Sequence, residues 1–175
     1  MFKKTVAALA LIGTSFASQA NWQAGVGYVN LSDSPSGYDI SLDGVYGSLG
    51  YKFKSSDNFY WVPELRLGTG IGDDTIDNYL AGSVLNTKLE MERYIALSLR
   101  GQYELDNGVY LYAAPSYANV EIKASGFGAS LSEDEWEFGL GGGIGYNFSN
   151  NMAAELSYEQ FDGVDVVSLA VKFDF

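Results

Sequence analysis

The sequence predicts an all-β chain: an eight-stranded antiparallel up-and-down transmembrane β-barrel after a cleaved signal peptide. Three observations predict it. The region after residue 20 divides into eight segments in which apolar and polar residues alternate, the period of an extended strand with two unlike faces. The gaps between them are alternately long and short. In the last segment, Val167, Leu169, Val171, Phe173 and Phe175 take one face while Ser168, Ala170, Lys172 and Asp174 take the other. A chain end frays unless something holds it, so an aromatic final residue reads as a strand of a closed sheet.

The N-terminus has the form of an export signal. Met1-Phe2-Lys3-Lys4 is followed by the apolar run Val6 to Ile12 and the small-residue exit Ser18-Gln19-Ala20. The run is far shorter than the roughly 20 apolar residues that a transmembrane helix needs. Cleavage after Ala20 gives the expected division: residues 1–20 as signal peptide and residues 21–175 as one barrel domain of 155 residues. Loss of Lys3 and Lys4 takes the formal charge from −12 to −14. An acidic chain of this kind argues against nucleic acid as a partner, which calls for a basic face. There is no cysteine, so neither disulfides nor thiolate metal sites hold the fold. The 21 glycines, 15% aromatics and only three prolines suit many twisted strands with aromatic girdles.

In chain order, the first segment runs from about Trp22 to Asn30, and the polar loop Ser32 to Gly37 leads to the second, about Ser41 to Phe53. The short turn Lys54 to Asn58 precedes the third. There Trp61, Pro63, Leu65 and Leu67 alternate with Val62, Glu64, Arg66 and Gly68. A long polar connection from about Gly70 to Lys88 opens the fourth, which sets Leu89, Met91, Ile95, Leu97, Leu99 and Tyr103 against Glu92, Tyr94, Ala96, Ser98, Arg100 and Gln102. Asp106-Asn107-Gly108 is a tight turn, because Asn-Gly accepts the positive φ of a hairpin. The fifth segment, Val109 to about Lys123, has no clear face assignment beyond Tyr117, and residues 124–135 read as a loop. Trp136 to Phe148 is the sixth, Met152 to about Glu159 the seventh, with Ser149-Asn150-Asn151 between them.

If both ends lie on the periplasmic side, three short turns fall there and four longer loops fall outside, the asymmetry of transmembrane barrels. Tyr51, Phe53, Phe59, Trp61, Tyr103, Tyr110, Tyr146, Phe148, Phe173 and Phe175 then cluster at the lower interface as a girdle. On these residues, and on the Pro63-Glu64-Leu65-Arg66-Leu67 segment and the glycine-rich sixth strand, the chain resembles the eight-stranded outer-membrane barrels of the OmpA/OmpX type, the porin-family β-barrel domain. The resemblance spans residues 21–175 and is nearest to short, barrel-only members. It implies residence in the outer membrane of a Gram-negative cell, in contact with lipid and lipopolysaccharide. It also implies delivery by the barrel assembly machinery, with Leu169, Val171, Phe173 and Phe175 as the assembly signal.

The inward face gathers Glu64, Arg66, Arg100, Glu137, Glu155 and Lys172, with Lys52 and Glu92 nearer the ends. Buried charges must be paired or hydrogen-bonded, so these are expected to form an ionic network that plugs the lumen. Acid/base chemistry by Glu137 and Glu155 is the alternative use of the same carboxylates. Gly139, Gly141, Gly143 and Gly145 share one face and precede no helix, so they are a lumen strip giving room to long charged side chains rather than a phosphate loop. With no histidine and no cysteine, the triads and histidine metal sites of hydrolases are absent, and barrel enzymes of the resembling kind use a histidine. No enzyme activity, cofactor or metal site is expected. The acids Asp73-Asp74 with Asp77, and Glu133-Asp134-Glu135, are either a solvated loop face or a place where divalent cations bridge to lipopolysaccharide.

The functional expectation is a monomeric structural or surface-interaction barrel, serving adhesion or envelope stability through loops that offer a surface ligand its only large contact area. A narrow channel for ions or small solutes is the second reading. A soluble exported lipid-binding barrel, with the faces inverted, is the third, and alternation alone does not separate it from the first. Deleting Phe175 is expected to slow or abort membrane assembly while export and signal cleavage continue. Normal outer-membrane levels of the truncated chain, measured by fractionation, would show that this residue is not the signal.

Overall fold

The computed structural model describes residues 21–33, 40–80, 83–126 and 129–175. The signal peptide with Ala20, most of the first polar loop, and the side chains of Asp73, Asp74, Asp77 and Glu133 lie outside the described residues. The described chain is built of strands joined by short turns: β1 (Trp22–Asp33), β2 (Ile40–Tyr51), β3 (Phe53–Lys54), β4 (Phe59–Gly70), β5 (Asp73–Leu80), β6 (Ser83–Glu104), β7 (Val109–Gly126), β8 (Ala129–Ser149), β9 (Met152–Gln160) and β10 (Val164–Asp174). No helix in it is long and apolar enough to cross a membrane.

Antiparallel neighbours run β4, β2, β1, β10, β9, β8, β7, β6 and back to β4, a closed ring of eight. β3 continues β2 downward along β4, and β5 pairs only with the upper part of β6. The first and last strands close the ring from Gln23 opposite Asp174 to Asp33 opposite Val164, and below them Trp22 and Phe175 exchange both backbone hydrogen bonds. Continued by one step beyond Ser98 opposite Ser116 and Gly50 opposite Glu64, one circuit of the ladder runs from Asp165 through Gln160, Leu140, Pro115, Leu99, Pro63, Tyr51 and Trp22 and returns to β10 at Phe175, ten residues further on. That stagger obliges the strands to tilt by roughly 40°.

The outer face is apolar. Val26, Leu49, Leu67, Leu97, Leu111 and Leu156 are each about half exposed on it. Below them, Phe53, Trp61, Tyr103, Tyr146, Phe148 and Phe173 form a lower aromatic ring, and above them Tyr28, Tyr117, Trp136 and Tyr158 form an upper one. Tyr28 and Tyr158 donate their hydroxyls to Asp43 and Asp165, so the upper ring has its polar tips on carboxylates. Trp136 and Tyr146 lie ten residues apart on β8, which at about 3.3 Å per residue and this tilt is about 25 Å, the height of a lipid-facing band. The inverted arrangement, apolar within and charged without, is therefore not the one adopted along this band.

Several expectations need correction. Residues 70–88 and 124–135 are largely strand: β5 and the start of β6 form one hairpin, and the ends of β7 and β8 pair from Gly126 opposite Ala129 downward, so both extend above the upper ring. Their polar composition does not keep the backbone from pairing as strand. A register shift between Met91 and Arg93 reverses the faces of upper β6. It turns Leu89 and Met91 inward and sends Glu92, expected inside, to the outer wall, where it accepts a hydrogen bond from Lys123. Tyr110 is not part of the girdle; it is 1% exposed in the lumen. β7 keeps one phase past Tyr117, with Ala114, Ser116 and Ala118 inward, while Asn119 is covered because it hydrogen-bonds Asp134 and the Glu135 carbonyl on the outer wall.

The glycine strip does face inward, but most of what crosses it is aromatic. A Cβ at Gly145 would lie 2.0 Å from the Tyr110 ring, at Gly143 2.6 Å from the Tyr112 ring and at Gly139 2.5 Å from Phe161; only at Gly141 is the neighbour charged, Glu159. At Gly141 the obstruction includes the Tyr158 carbonyl at 2.4 Å, which no side-chain rotation relieves. Gly141→Ala is therefore expected to destabilise the barrel by about 1–3 kcal/mol. Gly72→Ala, where nothing lies within 4 Å, should stay within about 0.5 kcal/mol. Urea unfolding from lipid vesicles checks both, and equal midpoints would refute the packing argument.

Candidate functional site: a charged layer across the lumen

The alternation of β4 points Glu64 and Arg66 into the lumen, β6 supplies Arg100, β9 supplies Glu155 and Glu159, and β10 supplies Lys172. All six are no more than 5% exposed. Three positive and three negative groups meet there, so the layer is neutral. Glu64 is its hub: it accepts hydrogen bonds from Lys172 and, at 3.2 Å, from Arg100 Nη1, and Arg66 Nε lies 3.8 Å away. Arg100 Nη2 donates to Glu155, and Arg66 makes a bidentate pair with Glu159 through both terminal nitrogens. Such two-point contacts fix the guanidinium plane as well as its position.

Neutral partners take up part of the remaining capacity, while Arg66 Nε and Arg100 Nε are buried without a hydrogen-bond partner among the described residues. The Tyr110 and Tyr112 hydroxyls each donate to Glu155 at 3.0 Å, Ser116 donates to Glu159, and Lys172 donates to Ser48 at 3.0 Å. Arg100 also stacks over the Tyr112 ring, 3.8 Å from its centroid. The glycine strip is what makes this possible: β8 has no side chains at the level where Tyr110, Tyr112 and Glu159 need space. Beneath, Arg100 leads through Gln102 to Glu104, Lys52 joins Glu104 at 2.9 Å to Asp174 at 3.2 Å, and Gln23 caps Asp174.

The structure thus brings together Glu64, Arg66, Arg100, Glu155 and Lys172 and leaves Glu137 out. Glu137 does face inward, but it pairs across to Ala118 at a higher level and is only half-buried at the upper mouth. Glu159 holds the place expected for it. The signal for Glu159 was present, since it shares a face with Glu155 and Ser157, but its position at a strand end hid how far the tilt carries that strand into the barrel. Leu169, Val171 and Phe173 lie on the outer face of β10, and Phe175 is half-buried beside Trp22.

Above the upper ring the charges are at least partly exposed. Lys88 pairs with Glu90, whose carboxyl it holds below the ordinary range, and Arg93 reaches Glu121 at 3.2 Å and Asp134 at 4.0 Å. Wet pairs of this kind add little stability. Among the described residues, no group of three acids is arranged to hold a metal ion.

The family model for the outer membrane protein beta-barrel domain matches residues 5–174. No curated protein matches the chain in sequence. Among solved structures, the chain is similar to Ail, the attachment invasion locus protein of Yersinia pestis, at 18% identity and a TM-score of 0.62, covering 90% of this chain and 100% of that one. It is similar to Neisserial surface protein A at 13% identity and 0.60, covering 88% and 97%. It is similar to the N-terminal β-barrel of Pseudomonas aeruginosa OprF at 18% and 0.54, covering 90% and 100%. At these identities the likeness is one of fold.

Removing one member of the charged layer leaves its partners buried and unbalanced, so Glu64→Gln is expected to cost about 3–5 kcal/mol. Adding Lys172→Met should recover part of that loss by restoring neutrality. A double-mutant cycle measured by denaturant unfolding checks it; strict additivity of the two substitutions would mean that they do not act as a pair.

Proposed function

The chain belongs to the outer membrane protein β-barrel domain family, and from that premise we propose that it is a monomeric, non-conducting barrel of the Gram-negative outer membrane with a structural or surface-interaction role. The observation that carries this reading is the charged layer. It spans the lumen from β4 and β6 to β9 and β10, and the free space among its side chains is about 10 Å3, room for roughly one water. A passing ion would have to break pairs such as Arg100 with Glu155 and Arg66 with Glu159, which are anchored on separate strands.

The external side supports the surface role. The β5/β6 hairpin and the paired ends of β7 and β8 lift backbone above the lipid-facing band, where it meets lipopolysaccharide and any surface ligand. The fold is shared with a protein named for attachment and invasion, in keeping with a surface role here. No catalytic role is proposed for the lumen carboxylates, because each of Glu64, Glu155 and Glu159 is committed to cations and hydroxyls. Export by residues 1–20, cleavage after Ala20 and recognition of the Leu169 to Phe175 face by the assembly machinery complete the proposal.

Planar-bilayer recording tests it. The native protein is expected to give no stable conductance at neutral pH, whereas Arg66→Ala or Arg100→Ala should leak or unfold at lower temperature. Steady, sizeable steps from the native protein would establish the narrow channel instead.

A further inference from the structure

The lumen above the charged layer is of a different kind. Phe161 folds in from the turn between β9 and β10, 7% exposed, where Gly163 at φ 84° reverses the chain. With Leu31, Leu42, Leu89, Val120, Ile122 and Val166 it encloses a cavity of about 730 Å3 at the external mouth. Tyr94 lies at its base, packed edge-on to Tyr46 with Arg66 5.9 Å from its ring centroid, so the cup ends where the charged layer begins. The Tyr94 hydroxyl is buried and has no hydrogen-bond partner among the described residues. An apolar hollow of this volume with a few polar groups at one end has the form of a small-molecule site.

The rim gives the hollow a sign. Strand alternation points Asp33 on β1 and Glu135 and Glu137 on β8 toward the mouth, and Asp162 in the turn lies near enough to act on Glu137 electrostatically. Asp134 also borders it but is engaged by Arg93 and Asn119. Among the described residues no base stands within 4 Å of Asp33, Glu135 or Glu137. Every basic residue in them is placed elsewhere: Lys52 and Lys54 at the lower end, Arg66, Arg100 and Lys172 in the charged layer, and Lys88, Arg93 and Lys123, none of which lines the cavity, paired with Glu90, with Glu121 and Asp134, and with Glu92. Unpaired carboxylates around an apolar cup attract a cation and reject an anion.

We propose that this external cup is a binding site for small cationic amphiphiles, an apolar body seated on Phe161, Val120 and Ile122 with an ammonium or guanidinium group held at Asp33, Glu135 and Glu137. Access is from outside, so the site is independent of whether the lumen beneath conducts. It has no need of the charged layer except as a floor.

The experiment uses the full barrel in phosphatidylcholine nanodiscs and three fluorinated probes of one shape: 4-(4-fluorophenyl)butylammonium, the matching alcohol and the matching carboxylate. Fluorine NMR measures binding above that of empty nanodiscs. The ammonium probe should bind at least tenfold more tightly than the alcohol, the carboxylate not detectably, and added salt should narrow the difference. Asp33→Asn with Glu137→Gln should remove the cation preference while leaving residual binding of the alcohol. Val120→Trp, which fills the cup, should abolish binding of all three; Ala118→Leu serves if that variant does not give a heat-modifiable barrel. Equal binding of the three probes, no binding beyond empty nanodiscs, or a cation preference that survives the two rim substitutions would overturn the proposal.

Discussion

The balance of charge around Glu64 is the constraint on which the rest of this barrel depends. Three cations converge on one carboxylate, and two further carboxylates complete the account. Desolvating a charge is so unfavourable that none of these groups is tolerable alone. Neutrality therefore sets the composition of four strands together: β4, β6, β9 and β10 must each present the right sign at one height. The register enforces that height. A slip by one residue would turn Arg100 to lipid and Leu99 into the lumen, so the charged layer and the outward apolar face select the same pairing.

How much of this was legible in the sequence divides along the same physical lines. The lipid-facing band was plain, because alternation over Leu65 to Leu67, Leu97 to Leu99 or Leu169 to Phe173 has a period that nothing else imitates. Alternation also told which charges point inward. It did not tell their heights, since height depends on tilt and stagger, which are properties of the closed ring and not of any strand. Hence alternation places Glu137 with Glu155, though one sits at the mouth and the other mid-lumen, and does not single out Glu159. Tyr110 differs from the girdle for a related reason: an aromatic near a turn suits the girdle, and only its parity against Leu111 distinguishes a lumen position. The irregularity at Met91 to Arg93 has no signature in the residues themselves, so the faces of Leu89, Met91 and Glu92 were reversed above it.

The interior is layered rather than uniform. Lys52, Glu104 and Asp174 occupy the lower end, the neutral charged layer the middle, and an apolar ring with an acidic rim the upper mouth. Glycines decide where bulk is allowed. On β8 they open space for Tyr110, Tyr112, Glu159 and Phe161 in turn, from bottom to top. Along this strip β8 puts no side chain into the lumen, and it thereby sets which groups from other strands reach the axis.

The pairing of β1 with β10 has a consequence in time. Those strands lie at opposite ends of the described chain, yet each is the other's neighbour over eleven consecutive residue pairs. Until Val164 to Asp174 has been made and brought back, β1 and whichever strand is last in place are open edges, long and apolar on one side, the form most prone to pair with other chains. The ring cannot close progressively during synthesis, and loop closure over nearly the whole chain precedes the reward of its contacts. In a chain of this topology the two edges are shielded only by each other, so exposure to other chains ends at the single event that brings β10 against β1.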